Sequence, residues 1–344
     1  MSDLFSLLNK SKVEEESKPQ SSTFDIKEYV AYVQDHFVGS EMVQCFVMSL
    51  VAHVSNKPLI VKGPAGENKT GFIQDYATNI FDLDFRVAQF TETTPSDVVT
   101  GTVNLKAMDE GEWKHHLENG LVGGDIVLLD EVEKSADRTQ HALLSWLNEG
   151  GVYDGGKFHK SPTQLILATR NYDIDDQAFS DRWNICMYVS RNAGKSKFGF
   201  LQEFCNLPKK KKFKLDTGII EDLKAKSDKV LNRLKKEIAK GTSKFCDDLK
   251  GFLESVEIEI SSRTLVNSLK IMSANAVVHG RNKVSTIDLW VLQYLFIEED
   301  ESLIVKQQLE QTFNFISEEG IPYPTVDATL LEAKEIASNI ERNL

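Results

Sequence analysis

Apolar residues along the chain predict an α/β fold. Five short apolar runs alternate with stretches of helical spacing, and they occupy residues 58–61, 85–88, 126–129, 165–168 and 185–189. Uninterrupted apolar runs of this length are typical of strands that a parallel sheet buries on both faces. The pattern therefore predicts a Rossmann-like, five-stranded parallel sheet with helices on both faces.

The segments on either side of these runs have a different character. Residues 1–23 combine a short apolar cluster at positions 4–8 with a polar stretch that cannot bury a core, which predicts a flexible N-terminal tail. The apolar tip is either a frayed end or a helical docking peptide for a partner. After Arg191 only amphipathic helical segments follow, including one predicted over 286–298. We therefore expect a core over 24–192 and an all-helical second domain over 193–344.

Composition limits the possible functions. Of 344 residues, 41% are hydrophobic and 27% are charged, which is ordinary for a folded globular chain. The formal net charge of -12 disfavours general nucleic-acid binding, because a negative surface repels phosphate backbones. The four cysteines lie far apart without a CxxC pair, so we expect reduced thiols in a cytoplasmic protein and no zinc site. No apolar stretch approaches the ~20 residues of a membrane span.

The strongest motif follows the first apolar run. A glycine-rich turn stands between that run and a predicted helix, and it consists of Gly63, Pro64, Ala65, Gly66, Glu67, Asn68, Lys69 and Thr70. This is the order of a Walker A loop, in which backbone amides surround phosphates, Lys69 reaches the terminal phosphates and Thr70 binds Mg²⁺. The loop predicts ATP and Mg²⁺ as ligands.

Two residues of this loop are unusual. Asn68 stands in the place of the last glycine, and asparagine is one of the few other residues that tolerate a positive φ angle. Glu67 adds a carboxylate next to a site meant for an anion. We therefore predict a left-handed Asn68 and a weakened affinity for nucleotide.

Candidate catalytic residues lie next to the third, fourth and fifth apolar runs. The third run ends in Asp130 and Glu131, the order of a Walker B motif. Asp130 is a candidate Mg²⁺ ligand, and Glu131 is the candidate base that orients and polarises the attacking water. Asn171 follows the fourth run and is a candidate sensor of the γ-phosphate. Arg182, before the fifth run, is either an arginine finger or a structural ion-pair partner of Asp181.

Together with the segments around them, these motifs resemble the MoxR family of AAA+ ATPases over residues 37–289. The similar segments are 37–41, 94–101, 139–144, 262–263, 279–281 and 284–288. The resemblance implies a Rossmann-like ATPase core, a helical lid and a homo-oligomeric ring, usually a hexamer, with ATP between neighbours. It further implies that Val38 and Gly39 lie against the adenine, that Arg182 is the finger and that Arg263 is the sensor 2 arginine.

The same resemblance implies a function. Members of the family are remodelling chaperones that activate, assemble or insert a metal into a client protein, commonly with a von Willebrand factor A domain partner. Two inserts, at 101–118 and 150–162, are where such machines typically contact clients, and the second resembles a hairpin that turns at Gly155 and Gly156. This chain has Glu133 and Lys134 where the family pattern prefers Asn and Arg.

Two other functions also fit the sequence. Glu67 and Asn68 would suit a nucleotide-binding assembly scaffold with weak or no turnover. The basic run from Lys209 to Lys212 is either a solvated loop or a contact for nucleic acid in a defence or restriction motor. The adjacent His115 and His116 lack the spacing of metal ligands, so we expect exposed polar side chains there.

Overall fold

The computed structural model describes residues 24–208, 213–313, 315–316 and 325–326. The apolar tip at 4–8 and the basic run at 209–212 lie outside these ranges. The docking role of the tip and the nucleic-acid contact of the basic run therefore remain predictions. Within the described ranges, no helix combines the length and the apolar character that crossing a membrane requires.

Parallel strands build the centre of the molecule. The strands of the described core are β1 Leu59–Lys62, β2 Phe85–Gln89, β3 Ile126–Asp130, β4 Gly151–Asp154, β5 Lys157–Lys160, β6 Leu165–Arg170 and β7 Ile185–Tyr188. Five of them form one sheet in the order β2-β3-β6-β1-β7, and all neighbours in it are parallel. The predicted five-stranded parallel sheet is confirmed, and β4 and β5 form a separate antiparallel hairpin.

Successive side chains of a strand point to opposite faces of the sheet, and β1, β3, β6 and β7 are buried on both faces. The edge strand β2 has no buried residue, and its Val87 is 53% exposed. In β1, Leu59 and Val61 pack into one hydrophobic cluster, whereas Ile60 packs into another on the opposite face. β3 divides in the same way, with Leu128 in the first cluster and Leu129 in the second. A strand buried on two sides needs apolar residues at successive positions, which explains the continuous runs in the sequence.

Helices cover the sheet and continue beyond it. They are α1 Ile26–Gln34, α2 Ser40–Ser55, α3 Lys69–Gln74, α4 Asp97–Thr100, α5 Leu105–Asp109, α6 Asp137–Glu149, α7 Gln177–Ser180, α8 Lys197–Asn206, α9 Thr217–Lys240, α10 Lys244–Ser255, α11 Ser262–Val278 and α12 Glu299–Phe313. Side-chain caps set the start of several helices, because they satisfy amides that lack a partner inside the helix. Asp216 accepts from the N–H of Gly218 at α9, and Ser261 accepts from that of Thr264 at α11.

The region after residue 193 differs from the sequence prediction in two places. Thr286–Leu295 forms 3₁₀ turns and not the α-helix predicted over 286–298. All side chains from Asp288 to Leu295 are buried, so packing on every side overrides the helical preference of the segment. Phe315–Ile316 and Thr325–Val326 form a short antiparallel pair, so this region is not entirely helical.

The helical region packs directly on the core. α9 and α11 contact α2, and their apolar side chains join the same hydrophobic cluster as one face of the sheet. Lys57, just before β1, donates through its Nζ to Asn267 Oδ1 of α11 at 2.8 Å. The start of α11 therefore lies near the amino edge of the sheet, which we define as the edge where the strands begin. The domain boundary at 192–193 remains a prediction.

Candidate functional site

The loop after β1 lies at the carboxyl edge of the sheet, where the strands end. Gly66 has φ 91°, and a Cβ atom built on it would meet nothing within 4 Å. Asn68 has φ 56° and ψ 27° at the start of α3, which confirms the predicted left-handed conformation. Its side chain lies over Gly71, where a Cβ would collide with it. An open glycine loop that leads into a helix fits phosphate groups.

Lys69 lies beneath this loop and is only 7% exposed. Its Nζ donates to Gly63 O at 2.7 Å, to Pro64 O at 2.8 Å and to Asn171 Oδ1 at 2.8 Å. All three ammonium protons are therefore used within the chain. Burial lowers the pKa of Lys69, and neighbouring carboxylates, of which Glu133 has the largest effect, oppose the shift. A bound phosphate would exchange these neutral acceptors for charged ones.

Asp130 and Thr70, the predicted metal ligands, are in direct contact. Thr70 Oγ1 donates to Asp130 Oδ1 at 3.1 Å. Thr169 of β6 donates to the same Asp130 oxygen and accepts from the N–H of Glu131 at 3.0 Å. Hydroxyl and carboxylate oxygens are the hard ligands that suit Mg²⁺, so the donor set fits this ion. The motifs did not identify Thr169, whose sequence signal is a hydroxyl inside an apolar strand before Asn171.

Glu131 is held by donors from three directions. Asn171 Nδ2 donates to its Oε1 at 2.9 Å, while Gln89 Nε2 and Lys134 Nζ donate to its Oε2 at 3.1 and 2.8 Å. The hydrogen bond from Lys134 is the main reason that the pKa of Glu131 lies below its usual range, although burial opposes it. Asn171 also accepts from Lys69, so a single amide connects the candidate base to the Walker A lysine. Gln89, at the end of β2, is a site residue that no sequence motif identified.

Glu133 reaches the same site from the turn after β3. Its Oε1 accepts the backbone N–H of Asn171 at 2.9 Å, so it anchors the candidate sensor. Its Oε2 is buried without a hydrogen-bond partner among the described residues. Sequence comparison with the family pattern marked Glu133 as unusual, but only the structure brings it to Asn171.

The carboxylate of Glu67 is directed away from the phosphate site beside which the sequence predicted it. Its Oε2 accepts the backbone N–H of Asn192 at 3.0 Å, so the carboxylate is directed towards the segment that follows β7. Gly39 lies against Ala193 of that segment, and its N–H donates to Glu203 Oε1 at 3.1 Å. The predicted adenine segment and the Walker A loop therefore meet at the same connecting segment, which leads into α8.

Arg182 and Arg263 lie together at the amino edge of the sheet, away from the Walker A loop. Arg182 precedes Asn184, whose N–H donates to Pro58 O at 3.3 Å at the start of β1. Burial and the nearby charge of Arg263 lower the pKa of Arg182. Arg182 Nε is buried without a hydrogen-bond partner within the described residues. Arg263 is thus near enough to Arg182 to act on it electrostatically, and both lie at the edge opposite the Walker A loop of their own chain.

The two predicted inserts contact each other. The second forms the expected hairpin, with Gly155 and Gly156 at positive φ in its turn. His115 of the first insert donates its N–H to Asp154 Oδ2 at 2.9 Å, and its Nδ1 lies 2.7 Å from Asp154 Oδ1. The expectation of an exposed His115 is therefore wrong: its side chain is 15% exposed, because the hairpin covers it. His116 contacts Glu118 at 3.0 Å nearer the surface.

Fold and site together define the class of protein. A parallel sheet of this strand order, with a Walker A loop after β1, acidic residues at the end of β3, an asparagine after β6 and a helical lid, is that of an AAA+ ATPase. Residues 24–223 match the family described as the MoxR domain in the MoxR-vWA-beta-propeller ternary systems, and residues 228–309 match an AAA lid domain. The chain belongs to the MoxR family, as the resemblance in the sequence predicted.

Proteins similar to this chain come from several organisms. An uncharacterized protein of Methanocaldococcus jannaschii is 24% identical over 309 residues, which cover 86% of this chain and 74% of that protein. The chaperone MoxR1 of Mycobacterium tuberculosis is 28% identical over 123 residues, which cover 36% of this chain and 32% of that protein. A solved structure of a candidate ATPase from Cytophaga hutchinsonii has a TM-score of 0.54 at 19% identity and covers 93% of this chain and 94% of that one. This last similarity supports the fold alone.

Proposed function

We propose that this protein hydrolyses ATP in the presence of Mg²⁺ and does so in a homo-oligomeric, hexameric ring. The observation that carries the proposal is the position of Asn171 between Lys69 Nζ and Glu131 Oε1. One amide thereby connects phosphate binding to the candidate base, beside the contact between Thr70 and Asp130. An NTPase needs these groups to hold phosphates, to hold a metal ion and to orient water.

Each group has its own task in this proposal. The amides of 63–70 and Lys69 bind the phosphates, and Thr70 and Asp130 hold Mg²⁺, which neutralises phosphate charge when bound. Glu131 takes a proton from a water molecule whose oxygen forms a bond to the γ-phosphorus, and the bond from that phosphorus to the bridging oxygen of ADP breaks. Asn171 orients the water. The low pKa of Glu131 supports its role as an ionised carboxylate.

We also propose that Arg182 and Arg263 act on the site of a neighbouring subunit. Both lie at the amino edge, whereas Lys69 and Asp130 lie at the carboxyl edge of the same sheet. Two adjacent positive charges suit an anionic group supplied from outside the chain, such as the γ-phosphate of ATP held by a neighbour. This geometry supports a ring in which each interface completes one site.

The client-directed part of the proposal rests on the family. Its description names ternary systems with vWA and beta-propeller components, so we propose a partner with a von Willebrand factor A domain and a remodelling role that activates, assembles or inserts a metal into a client. The surface formed by the two inserts, joined through His115 and Asp154, is the proposed client contact. Because the reaction consumes ATP, we place the ring in the cytoplasm.

The test compares ATP binding and hydrolysis by the parent protein and by Glu131→Gln. Glutamine keeps the volume and most contacts of Glu131 but cannot take the proton, so we expect unchanged ATP affinity and a loss of turnover of about a hundredfold or more. Glu149→Gln, at the exposed end of α6, is the matched control and should hydrolyse ATP at the parent rate. Parent-rate turnover by Glu131→Gln would show that the base is another residue.

A second candidate function is a nucleotide-binding assembly scaffold with weak turnover. The observation that favours it is that both oxygens of Glu131 are occupied by donors from Gln89, Lys134 and Asn171. These three donors fill three of the roughly four lone-pair sites of the carboxylate, so only one site on Oε1 remains for a proton. ATP binding without hydrolysis by the parent, at every protein concentration tested, would support the scaffold over the ATPase.

A further inference from the structure

The segment between β7 and α8, which we call the linker, has an unusual backbone. Asn192, Ala193 and Gly194 are three successive residues with positive φ, at 52°, 52° and 73°. Asparagine and glycine tolerate this left-handed region, whereas the Cβ of alanine makes it unfavourable. Such a conformation persists only where the surrounding contacts hold it. The contacts of the linker therefore determine its shape.

Two carboxylates hold the linker. Glu67 Oε2 accepts the N–H of Asn192 at 3.0 Å. Glu41 accepts both the N–H and the hydroxyl of Ser190, each at 2.7 Å. Glu67 belongs to the Walker A loop, and Glu41 lies in the first turn of α2, two residues after Gly39. The linker is thus fastened from the phosphate end and from the base end of the candidate nucleotide site.

The linker also packs tightly against both the base end and the phosphate end of the candidate nucleotide site. A Cβ on Gly39 would collide with the Cβ of Ala193. A Cβ on Gly63, the first residue of the Walker A loop, would lie 2.5 Å from the carbonyl oxygen of Val189, the first residue of the linker. Because glycine at each position permits this approach, any displacement of the linker changes the space beside Gly39.

We propose that Glu67 is a positioning residue that holds the linker against Gly39 and thereby shapes the pocket for the base of the nucleotide. The inference rests on the proposed binding of ATP with its adenine against Val38 and Gly39. Glu67 weakens the binding of phosphates by repulsion and strengthens the binding of the base through the linker. It therefore favours a nucleotide over a phosphate chain that has no base.

This role and a simple electrostatic brake lead to different results. If Glu67 acted only by repelling phosphates, its removal would improve the binding of ATP and of inorganic tripolyphosphate to the same extent. If it holds the linker, its removal releases Asn192 and Ala193, so that ATP loses contacts which tripolyphosphate never makes. ATP binding then weakens, whereas tripolyphosphate binding stays equal or tightens.

The experiment measures the affinities of ATP and of inorganic tripolyphosphate, each with Mg²⁺, for the full-length parent, Glu67→Ala and Glu67→Gln. For Glu67→Ala we expect about tenfold weaker ATP binding, which corresponds to ~1.4 kcal/mol, and equal or tighter tripolyphosphate binding. Glutamine can still accept the N–H of Asn192, so Glu67→Gln should keep ATP affinity within about threefold of the parent. Glu92→Ala, an exposed acidic residue, controls for net charge and should change neither affinity.

A second variant tests the linker itself. Adding Ala193→Gly to Glu67→Ala should restore part of the lost ATP affinity, because glycine adopts the left-handed conformation without the Cβ penalty. Equal improvement, or equal weakening, of both ligands in Glu67→Ala would overturn the inference. Failure of the parent to bind ATP is a different result, since it would overturn the proposed function itself.

Discussion

The two edges of the central sheet differ in how their charged groups are balanced. At the carboxyl edge, Lys69 and Glu131 are each held by three hydrogen bonds, and Asn171 connects them. At the amino edge, Arg182 Nε is buried without a hydrogen-bond partner within the described residues. Burial and the charge of Arg263 lower the pKa of Arg182, and Asp181 and Asp176 oppose this shift. The charged groups of one edge are therefore hydrogen-bonded to one another, whereas the other edge keeps an arginine nitrogen without a partner.

This difference indicates which edge of each subunit binds a nucleotide in the proposed ring and which edge acts on the neighbouring subunit. The groups at the carboxyl edge are hydrogen-bonded to one another within a single chain. They can bind a nucleotide there if its phosphates and Mg²⁺ replace these hydrogen bonds with stronger contacts. A buried arginine nitrogen without a partner gains from an additional anion that a neighbouring subunit brings. Variants at one edge should therefore have different effects from variants at the other.

The largest expected effect comes from mixing variants. Lys69→Ala should lose nucleotide binding and Arg182→Ala should lose hydrolysis while it keeps affinity, each with a fall in ATPase rate of about a hundredfold or more. An equimolar mixture should recover measurable activity, because some interfaces combine an intact Walker A loop with an intact arginine.

The control for mixing uses two lesions at the same edge. Lys69→Ala mixed with Glu131→Gln should remain inactive, since each subunit then has a damaged carboxyl edge. The specific activity of the parent should rise with protein concentration. Recovery in the same-edge mixture, or a rate independent of concentration, would contradict the trans arrangement.

A smaller effect is expected at Arg263. Because it lies next to Arg182 and is exposed, Arg263→Ala should lower the ATPase rate by about tenfold with little change in ATP affinity. It should complement Lys69→Ala on mixing but fail to complement Arg182→Ala. If Arg263→Ala instead weakened ATP binding in dilute, unassembled protein, Arg263 would act on the site of its own chain.

The pH dependence of hydrolysis tests the balance at the carboxyl edge. Glu131 must be ionised to accept a proton, so the rate falls as the pH drops through its pKa. Lys134 lowers that pKa and burial raises it, hence Lys134→Met should move the acid limb of the rate profile to higher pH. Rates are to be measured from neutral to acid pH with circular dichroism as a folding check. Lys226→Met on α9, which removes an exposed ion pair with Asp222, should not shift the acid limb of the rate profile.

The smallest effect concerns the fit between Asn68 and Gly71. A Cβ at 71 would meet the Asn68 side chain, so Gly71→Ala should destabilise the protein by ~1–3 kcal/mol in urea unfolding. Adding Asn68→Gly should remove most of that loss, because the obstructing side chain is gone. Gly251→Ala on α10, where a Cβ meets nothing within 4 Å, should be neutral or slightly stabilising. A persistent loss in the double variant would mean that the backbone, and not Asn68, excludes a side chain at 71.

Local patterns in the sequence were sufficient for the strands, the Walker A loop and the left-handed Asn68. Each depends on neighbouring positions: a strand buried on both faces requires consecutive apolar residues, and a tight loop requires residues that tolerate positive φ. The same locality explains a failure. The spacing over 286–298 suits a helix, but Thr286–Leu295, in which every side chain from Asp288 to Leu295 is buried, forms 3₁₀ turns.

The partners of the site residues were decided only by the tertiary structure. Glu67 contacts Asn192, Glu133 anchors Asn171, and Gln89 holds Glu131, although nothing in their local sequence indicates these contacts. The pairing of Arg182 with Arg263 is of the same kind, because it depends on where α11 packs against the start of β1. Sequence determines which groups are available at each strand end, whereas the direction of a charged side chain depends on which distant segment offers it the better partner.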